Sequence, residues 1–407
     1  MDMHMRYVGL FIVLFAVGCT GNVNHPTVAT DDSSVTVIAS SVDPPPVHPN
    51  PRVLHGQRFR VETVASGLRG PWAMAWLDDG RLIFTQVGGE LCIVEPGGVR
   101  RLHRFDEVQE PGDGGLMGLA VSPTFANDGW VYVSYTGLVG KELRNIVARC
   151  RLAPDASDGP AVAQFRVLLN AMPASQIHNG LPLRFGPDGM LWALAGDAGD
   201  GDRIQQRDWL GGKLLRMTPD GQVPKDNPFP YSLVWTLGHR HGLGFDWHPV
   251  TGELYATEQG VAGQGSGKLN LMVNSKNSLY VIRKGQFYNA SRIVTGSRPR
   301  QPEPPIYTWD QPVGPAGTAF YNGEAFPAWR NRLFVATMSG QALVCVTISD
   351  DDPAVVTDVS AVLVKEFGRL RAVTVGPDGY VYVATANWDD EGNPAAEDDR
   401  IIRLAPE

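Results

Sequence analysis

His178 and Asp197 are the residues of this sequence whose chemistry and spacing best suit acid–base catalysis. His178 precedes an apolar run in SQIHNGLPLRFGPDG, and Asp197 ends the following run in LAGDAGDGD. If the two runs form one β-hairpin, both residues lie at its open end. A carboxylate can fix the tautomer of an imidazole and raise its basicity, as a general base that removes a hydroxyl proton requires. A histidine before a strand is more often structural, so the prediction of catalysis depends on Asp197.

Arg240 is a second candidate, in the segment WTLGHRHGLGFDWHP. It lies between His239 and His241, close to the flexible Gly238 and Gly242, and its planar fork could bind a carboxylate or polarise a carbonyl. A salt bridge between neighbouring structural units is the simpler interpretation. The two histidines are spaced two apart in a loop without further ligands nearby, which argues against a zinc site.

Arg369 and Arg371 are two residues apart at the start of an apolar run, so a strand would place them on one face and Leu370 on the other. Two guanidinium groups on one side suggest that they bind an anion with several carboxylates. The alternative is that one of the two is an ordinary surface residue.

The segment ATEQGVAGQGSGKLN, residues 256–270, is predicted to be a glycine-rich loop after a second strand. The backbone carbonyls of Gly260 and Val261 could bind a hard cation such as calcium, which prefers oxygen ligands. On its own this is a weak signal.

A repeated phrase indicates the elements that must position these residues. An apolar run, a turn centred on Asp-Gly or Gly and a second run rich in Val, Leu, Tyr and Trp recur along the chain. Glycine supplies the positive φ of a tight turn, and β-branched and aromatic residues suit the flanking strands. The six copies cover residues 74–86, 119–135, 183–197, 245–260, 319–340 and 373–387. Six hairpins at this spacing predict an all-β, six-bladed β-propeller.

In a propeller the innermost strand of a blade crosses the disc and the next strand returns. Residues before the first strand and after the second therefore share one face. His178, Arg240, Arg369 and Arg371 precede predicted first strands, and Asp197 follows a second strand. We expect all five to converge on one mouth of the central channel.

Composition limits the possible functions. The 407 residues are 43% hydrophobic, with 46 glycines and 31 prolines, which suits one large, turn-rich domain. A net charge of -8 argues against a nucleic-acid partner and is compatible with a small neutral substrate. Cys92, Cys150 and Cys345 lie in or beside strand-like runs and are expected to be core residues.

The N-terminal segment predicts export. Residues 8–18 form an apolar run that suits a signal peptide better than a membrane span, and Cys19 follows at once. Small residues before Cys19 resemble a lipoprotein cleavage box, so residues 1–19 are expected to be a lipoprotein-type signal peptide, with Cys19 as the lipidated first residue of the mature protein; an ordinary secretion signal is the alternative. Residues 20–57 are rich in Thr, Ser, Asp and Pro and predict a disordered tether. The propeller is expected to cover residues 58–407, periplasmic or at the cell surface, with membrane contact only through the lipid.

Several long motifs resemble one family. GLRGPWAMAWLDDGRL, GGLMGLAVSPTFANDGWVYVSYT, HNGLPLRFGPDGMLWALAGDAG, LGGKLLRMTPDGQVPKDNPF, TLGHRHGLGFD, ATEQG and GRLRAVTVGPDG occur in this order. Together they resemble the soluble sugar dehydrogenases that depend on pyrroloquinoline quinone (PQQ), the glucose/sorbosone dehydrogenase group, over about residues 60 to 405. The resemblance implies a six-bladed propeller that holds PQQ at its channel mouth, with calcium between the cofactor and the protein.

The resemblance also implies roles for particular residues. His178 matches the base that takes the anomeric hydroxyl proton of an aldose, and Asp197 matches the acid that supports it. Arg240 matches the arginine that polarises the quinone oxygens, and Arg369 with Arg371 match those that hold the cofactor's carboxylates. The carbonyls of Gly260 and Val261 match the calcium position.

The sequence departs from the family pattern at several cofactor contacts. His241 stands where the family has an asparagine, and Leu243 where it has a glutamine. A cofactor-binding lysine is replaced around residues 338–340, and the polar residue before the Gly-Leu-Leu-Gly motif is Asp113.

The first hypothesis is a PQQ- and calcium-dependent oxidoreductase that oxidises the C1 hydroxyl of an aldose to a lactone and passes electrons to an external acceptor. The alternative is a non-catalytic propeller that binds a sugar or a protein partner. A third, a calcium-dependent propeller lactonase or hydrolase, is disfavoured by the scarcity of carboxylates near the predicted strand starts.

Overall fold

The computed structural model describes residues 52–155, 161–260, 267–272, 281–283, 286–288, 305–389 and 391–407. The predicted signal segment with Cys19, most of the predicted tether and Val261 lie outside these residues. No helix within the described ranges is long and apolar enough to cross a membrane.

The described chain begins with two strands that pair with each other, β1 (Val53–Leu54) and β2 (Gln57–Ala65). Blades 1 to 3 follow, each an antiparallel sheet of four consecutive strands. Blade 1 contains β3 (Pro71–Trp76), β4 (Leu82–Gln86), β5 (Glu90–Glu95) and β6 (Gly98–Arg104). Blade 2 contains β7 (Leu116–Val121), β8 (Trp130–Val139), β9 (Glu142–Leu152) and β10 (Val162–Pro173), with a one-turn helix α1 (Phe125–Asp128) after β7. Blade 3 contains β11 (Leu183–Phe185), β12 (Leu191–Ala195), β13 (Lys213–Met217) and β14 (Val234–Leu237).

Blades 4 to 6 complete the ring. Blade 4 contains β15 (Gly242–Trp247), β16 (Leu254–Glu258), β17 (Lys268–Leu271) and β20 (Tyr307–Thr308); a separate two-stranded ribbon, β18 (Val281–Arg283) and β19 (Gln286–Tyr288), lies between the last two in sequence. Blade 5 contains β21 (Pro315–Phe320), β22 (Leu333–Thr337), β23 (Ala342–Ile348) and β24 (Val356–Val362), with a 3-10 turn at Pro327–Trp329. Blade 6 contains β25 (Leu370–Val375), β26 (Val381–Thr385) and β27 (Ile401–Pro406), followed by β2 and β1.

The six predicted hairpins are the two innermost strands of the six blades, so the predicted six-bladed propeller is confirmed. The turn chemistry explains why. Gly189 has φ +72°, and Asp188 Oδ1 accepts the backbone N–H of Met190 at 3.0 Å, which closes the turn of blade 3. The Asp-Gly turns of blades 1 and 6 repeat this arrangement.

The ring closes when the N-terminal strand pairs with the C-terminal one. β2 lies antiparallel to β27, with Phe59 opposite Pro406. The Leu54 carbonyl accepts a hydrogen bond from Trp329 Nε1 at 3.0 Å, and Leu54 is fully buried. Three residues of the range that composition assigned to the tether, Val53, Leu54 and Gln57, therefore lie in strands, because Leu54 and Phe59 complete a hydrophobic core with Trp329 of blade 5.

The innermost strands of all six blades line a central cavity of about 300 Å³. Contacts between β25 and β3 join the last blade to the first. The cores lie between the sheets and contain Cys92, Cys150 and Cys345, which are buried and form no disulfide. Burial raises the pKa of each thiol to about 12, and their prediction as core residues is confirmed.

Candidate active site

His178 and Asp197 form a close pair at one end of blade 3. His178 precedes β11, Asp197 follows β12, and His178 Nδ1 lies 2.6 Å from Asp197 Oδ1. Their side chains are 14% and 4% exposed. The backbone N–H of Gly199 donates to the same carboxylate oxygen at 2.8 Å, and the N–H of Asp197 donates to the Arg240 carbonyl at 2.8 Å. Because Nδ1 faces the carboxylate, Nε2 is the imidazole nitrogen left to meet a ligand.

Asp113 fixes the backbone of His178 from the neighbouring blade. It lies in the turn before β7, and its Oδ2 accepts the backbone N–H of His178 at 2.6 Å. Its Oδ1 accepts the backbone N–H of Asn179 at 3.0 Å and the Asn179 side chain at 2.9 Å. His178 has φ +59°, a left-handed conformation that costs a non-glycine residue about 1 kcal/mol or more. Three hydrogen bonds to one carboxylate stabilise this conformation and so position the imidazole.

Arg240 lies in the turn before β15, next to the His178 pair. Its Nη1 donates to the Gly260 carbonyl oxygen at 2.8 Å, and its backbone N–H donates to Glu258 Oε2 at 3.2 Å. Burial lowers the pKa of Arg240, and the charges of Asp197, Glu258 and Asp113 oppose that shift. An arginine stays protonated in proteins, so the site holds a fixed cation here.

Glu258 and His239 form a buried pair behind Arg240. His239 Nδ1 lies 2.5 Å from Glu258 Oε1, and His239 Nε2 lies 2.6 Å from Thr236 Oγ1. Burial acts to raise the pKa of Glu258, but the nearby His239 and Lys268 act to lower it. Their combined effect is the larger, so the pKa of Glu258 lies below its usual value. Both ring nitrogens of His239 are therefore engaged in structural bonds. The described residues contain no group of three or more His, Cys, Asp or Glu side chains arranged to hold a metal.

Arg369 directly precedes β25 of blade 6 and Arg371 is the second residue of that strand, at the same end of the ring as His178. Arg369 Nε donates to Asp389 Oδ2 at 2.8 Å, and Arg371 Nη2 lies 3.8 Å from that oxygen. The two side chains are 9% and 12% exposed, so neither is an ordinary surface residue. Burial lowers the pKa of Arg371, with Asp389 opposing. Its guanidinium carbon lies 6.0 Å from the ring centre of Trp72 in blade 1.

The predicted residues lie within electrostatic reach of one another. The pKa of His241 is lowered well below its usual value, first by burial and then by the charges of His178 and Arg240, with a smaller contribution from Arg371. Blades 3, 4 and 6 thus contribute an imidazole and two guanidinium groups around the His241 ring. The structure brings together the residues that the hairpin pattern predicted to lie at one mouth of the channel.

The donors at this mouth suit an acidic, oxygen-rich ligand. Among the described residues, Arg371 Nε and both ring nitrogens of His241 are buried without a hydrogen-bond partner. Buried polar atoms are nearly always paired, so these three atoms are available to a ligand. Guanidinium groups match carboxylate oxygens geometrically, and these residues therefore fit a flat, polycarboxylate ring such as PQQ.

A calcium ion fits the described residues less well. The Gly260 carbonyl oxygen accepts a hydrogen bond from the cationic Arg240, and a calcium ion at the same oxygen would face that positive charge at close range. Val261, the other predicted carbonyl ligand, lies outside the described residues.

Lys213 is a site residue that sequence reasoning did not identify, although it lies in the GKLLR motif. Its side chain is fully buried, and Nζ donates to the carbonyls of Ile204 and Gly211 at 2.7 Å each. It thereby holds the loop that follows Asp197. Burial lowers the pKa of Lys213 to about 7, with Asp208 opposing the shift. Asp113 and Glu258 were quoted in the sequence motifs, but nothing in the motifs showed that they bind the backbone of His178 and Arg240.

Comparisons with known proteins identify the family of this chain. A sequence model of the glucose/sorbosone dehydrogenase family matches residues 68–393. Aldose sugar dehydrogenase YliI of Escherichia coli is 31% identical over 340 residues, 80% of this chain and 89% of that protein. Quinoprotein glucose dehydrogenase B of Acinetobacter calcoaceticus is 26% identical over 85% of this chain and 88% of that protein. The PQQ-bound aldose sugar dehydrogenase of Streptomyces coelicolor is similar in structure, with a TM-score of 0.71, 30% identity and coverage of 86% of this chain and 99% of that one. The chain therefore belongs to the glucose/sorbosone dehydrogenase family and is an oxidoreductase of the aldose sugar dehydrogenase type.

Proposed function

We propose that this protein oxidises the C1 hydroxyl of an aldose to a lactone with PQQ as its cofactor, and passes the electrons to an external acceptor. The observation that carries the proposal is the 2.6 Å contact between His178 Nδ1 and Asp197 Oδ1 at a mouth that also holds Arg240, Arg369 and Arg371. PQQ, when bound, would supply the oxidised quinone as the acceptor for the hydride of C1.

The protein's own residues handle the proton. Asp197 holds the proton of His178 on Nδ1, so Nε2 presents a lone pair to the sugar. The C1 hydroxyl proton moves to Nε2 as the C1–H bond breaks, and the carbon–oxygen double bond of the lactone forms. Asp197 then stabilises the imidazolium that results. General-base catalysis of this kind accelerates a reaction by about 100-fold to 10,000-fold.

The arginines would hold and polarise the cofactor. Arg369 and Arg371 would bind its carboxylates, and the unpaired Nε of Arg371 offers a donor for one of them. Arg240 would lie against the quinone oxygens. The hydrogen bond from Arg240 to the Gly260 carbonyl fixes the guanidinium of Arg240 near the mouth before the cofactor binds.

Calcium is proposed as a second component, at the carbonyls of Gly260 and Val261. We assign it no catalytic step, because Arg240 contacts the one described carbonyl of that pair.

A direct test is to add PQQ and calcium to the purified protein, record the cofactor's absorbance and follow dye reduction when aldoses are added. The expected result is a spectral shift and sugar-dependent dye reduction. Arg371→Gln should weaken PQQ binding by about tenfold or more, because one charge-assisted hydrogen bond contributes about 1.5–3 kcal/mol. Arg58→Gln is the matched control, since Arg58 is exposed on β2 of the same blade. No spectral shift in folded protein would contradict the proposal.

The second candidate, a propeller that binds a sugar or a protein without catalysis, is favoured by Leu243. Its side chain is buried in the wall of the central cavity, where the family pattern has a polar cofactor contact. Sugar or protein binding without PQQ binding in the same experiment would support this candidate.

We also propose that the protein is exported, works in the periplasm or at the cell surface and is anchored by lipid at Cys19. The apolar run before Cys19 supports this placement. Cys19→Ala should release the protein from the membrane fraction; unchanged fractionation would contradict the anchor.

A further inference from the structure

Asn387 is a buried amide next to Arg369, and the mechanism above does not use it. It lies two residues after β26 and is 3% exposed. Its side-chain Oδ1 accepts the backbone N–H of Arg369 at 2.8 Å. The backbone N–H of Ala386 donates to the Arg369 carbonyl oxygen, also at 2.8 Å. Both backbone polar groups of Arg369 are therefore bonded to the two residues that follow β26.

A glycine lets the amide approach Arg369 this closely. Gly368 has φ +71°, a left-handed conformation that glycine adopts without steric cost. A Cβ atom added there would lie 2.2 Å from Asn387 Oδ1 and would displace the amide. The residue before Arg369 must therefore be glycine for Asn387 to bind the Arg369 backbone.

The other hydrogen bonds of Asn387 fix the direction in which its amide points. Nδ2 donates to the Phe367 carbonyl oxygen at 2.9 Å and to Asp398 Oδ2 at 3.1 Å. Exchanging Oδ1 and Nδ2 would bring a donor against the N–H of Arg369 and an acceptor against two oxygens. The amide therefore presents its oxygen to Arg369.

Asp399 holds the backbone of Asn387 and connects it to blade 1. This residue is fully buried. Its Oδ1 accepts the backbone N–H of Asn387 at 2.5 Å and the Thr385 hydroxyl at 3.0 Å, and its Oδ2 accepts the backbone N–H of Gly70 at 3.0 Å. Gly70 directly precedes β3, so the amide that binds Arg369 is held where the last blade meets the first.

The segment after β26 also holds the guanidinium of Arg369. Asp389 Oδ2 accepts a hydrogen bond from Arg369 Nε at 2.8 Å, and Glu391 Oε2 lies 3.1 Å from Arg369 Nη2. The direction of a side chain depends on its backbone as well as on the contacts at its outer end. Asn387 fixes the backbone, and the two carboxylates fix the outer end.

Arg240 is anchored in a similar way. In blade 4, Glu258 is the last residue of β16 and accepts the backbone N–H of Arg240, which precedes β15. In blade 6, Asn387 follows β26 and accepts the backbone N–H of Arg369, which precedes β25. Two of the three arginines proposed to bind the cofactor are thus held by a side chain at the end of the neighbouring strand.

We propose that Asn387 is a positioning residue, which fixes the backbone of Arg369 so that its guanidinium can bind a carboxylate of the cofactor. Asn387 acts through Arg369 and not by contact with the cofactor. This inference rests on the proposed function, because it takes Arg369 as a cofactor-binding arginine.

The test compares Asn387→Ala with Asn227→Ala in absorbance titrations with PQQ. Asn227 is also buried and makes three side-chain hydrogen bonds, but it lies between β13 and β14 at the opposite end of the strands. Both variants should lower the urea midpoint of unfolding by similar amounts. Asn387→Ala should weaken PQQ binding by about tenfold, the effect of one misplaced charge-assisted hydrogen bond, and Asn227→Ala should not. Equal PQQ affinities in the two variants would overturn the proposal.

Two further variants separate positioning from stability. Asn387→Asp keeps an oxygen for the Arg369 N–H but places another against the Phe367 carbonyl, so it should lower the urea midpoint and still bind PQQ more tightly than Asn387→Ala. In an Arg369→Gln background, Asn387→Ala should weaken PQQ binding no further, because its effect passes through Arg369. An additive loss in the double variant, or equal affinities of Asn387→Asp and Asn387→Ala, would overturn the proposal.

If Asn387→Ala does not fold, Gly368→Ala makes the same test, because its Cβ atom displaces the amide oxygen. Gly189→Ala is the control for backbone strain, since Gly189 has φ +72° and a Cβ atom added there meets nothing within 4 Å. Gly368→Ala should weaken PQQ binding, and Gly189→Ala should not. Equal affinities in these two variants would overturn the proposal.

Isophthalate, an aromatic dicarboxylate, separates this inference from the proposed function. Isothermal titration calorimetry measures its binding to the cofactor-free protein, and Asn387→Ala should weaken that binding only when Arg369 is present. If PQQ fails to bind but isophthalate shows this pattern, the proposed function fails and the inference stands. If the native protein binds neither ligand, or if Asn387→Ala binds both as the native protein does, the inference fails.

Discussion

The carboxylate of Asp113 in blade 2 accepts a hydrogen bond from the backbone N–H of His178 in blade 3, with the two atoms 2.6 Å apart. The ring of the same histidine is held by Asp197 of its own blade. The proposed base is therefore fixed by two carboxylates from two blades, one on its backbone and one on its imidazole. Its position depends on how these blades pack.

Replacing Asp113 should reduce activity more than its effect on stability accounts for. Asp113→Ala leaves the N–H groups of His178 and Asn179 without their acceptor, which should lower the free energy of unfolding by about 1–3 kcal/mol. Because the imidazole then loses its fixed position, kcat should fall by about tenfold or more. Urea unfolding and dye-coupled kinetics measure the two effects.

Asp78→Ala is the matched control for Asp113. Asp78 Oδ2 accepts the backbone N–H of Ala126 at 2.7 Å, a similar bond between blades at the opposite end of the strands. Asp78→Ala should lower the free energy of unfolding and leave kcat/KM unchanged. Equal losses of kcat/KM in the two variants would mean that Asp113 has only a general structural role.

Asp197→Asn should lower kcat by about 100-fold or more while leaving the affinity for PQQ unchanged. An amide in place of the carboxylate cannot stabilise the imidazolium and can favour the wrong tautomer. Stopped-flow reduction of a dye measures kcat, and absorbance titration measures PQQ affinity. Asp188→Asn, in the turn at the other end of the same hairpin, is the control. A parallel loss of PQQ binding in Asp197→Asn would place this residue in the cofactor site instead.

Lys213 should make stability depend on pH near neutrality. Its pKa of about 7 in the folded protein lies below that of about 10.4 in the unfolded chain, so between these values the unfolded chain binds the extra proton. Stability should therefore rise with pH above about 7, by up to about 1.4 kcal/mol per unit. This stabilising contribution of Lys213 is absent at pH values below its pKa in the folded protein and is complete at pH values above its pKa in the unfolded chain.

Lys213→Met removes this titration. Urea unfolding of native protein and variant at about pH 7 and about pH 8.5 should show the stability difference growing by roughly 1–2 kcal/mol in favour of the native protein. Lys225→Met, at an exposed lysine, should show no such change. Parallel pH curves for native protein and Lys213→Met would contradict the prediction.

Calcium binding should compete with Arg240 for the Gly260 carbonyl, because Arg240 Nη1 lies 2.8 Å from that oxygen. Arg240→Gln removes the positive charge and should raise the calcium affinity of the cofactor-free protein by at least about tenfold, since like charges about 4 Å apart repel by a few kcal/mol. Isothermal titration calorimetry measures the affinity. Arg58→Gln should bind calcium like the native protein. Equal affinities in all three proteins would place calcium elsewhere.

The local chemistry of the hairpins made much of the fold predictable. Asp188 and Gly189 determine their turn through a side-chain bond and a positive φ, and both are readable in the sequence. The outer strands were not predicted in the same way, because β6 is a mostly exposed strand with the sequence GVRRLHR and lacks a clear apolar alternation. Closure by β2 and β27 was not predicted either, since Phe59 and Pro406 are at opposite ends of the chain.

Contacts of the site that form within one hairpin were predictable from the sequence. Contacts between different blades were less predictable. His178 and Asp197 flank one hairpin, so their contact follows from its geometry. Asp113 acts through the backbone N–H groups of His178 and Asn179 in the next blade, and no local pattern encodes such a bond. The close approach of the His241 and His178 rings likewise depends on the packing of blade 3 against blade 4.

The most direct test of the account is the anaerobic absorbance change of the PQQ-loaded protein after an aldose is added, for native protein and His178→Gln. Both should bind PQQ with similar affinity. The native protein should show sugar-dependent reduction of the cofactor, and His178→Gln should be slower by at least about 100-fold. Equal rates in the two proteins, or no reduction of the native protein by any aldose, would contradict the proposed role of His178 as the base.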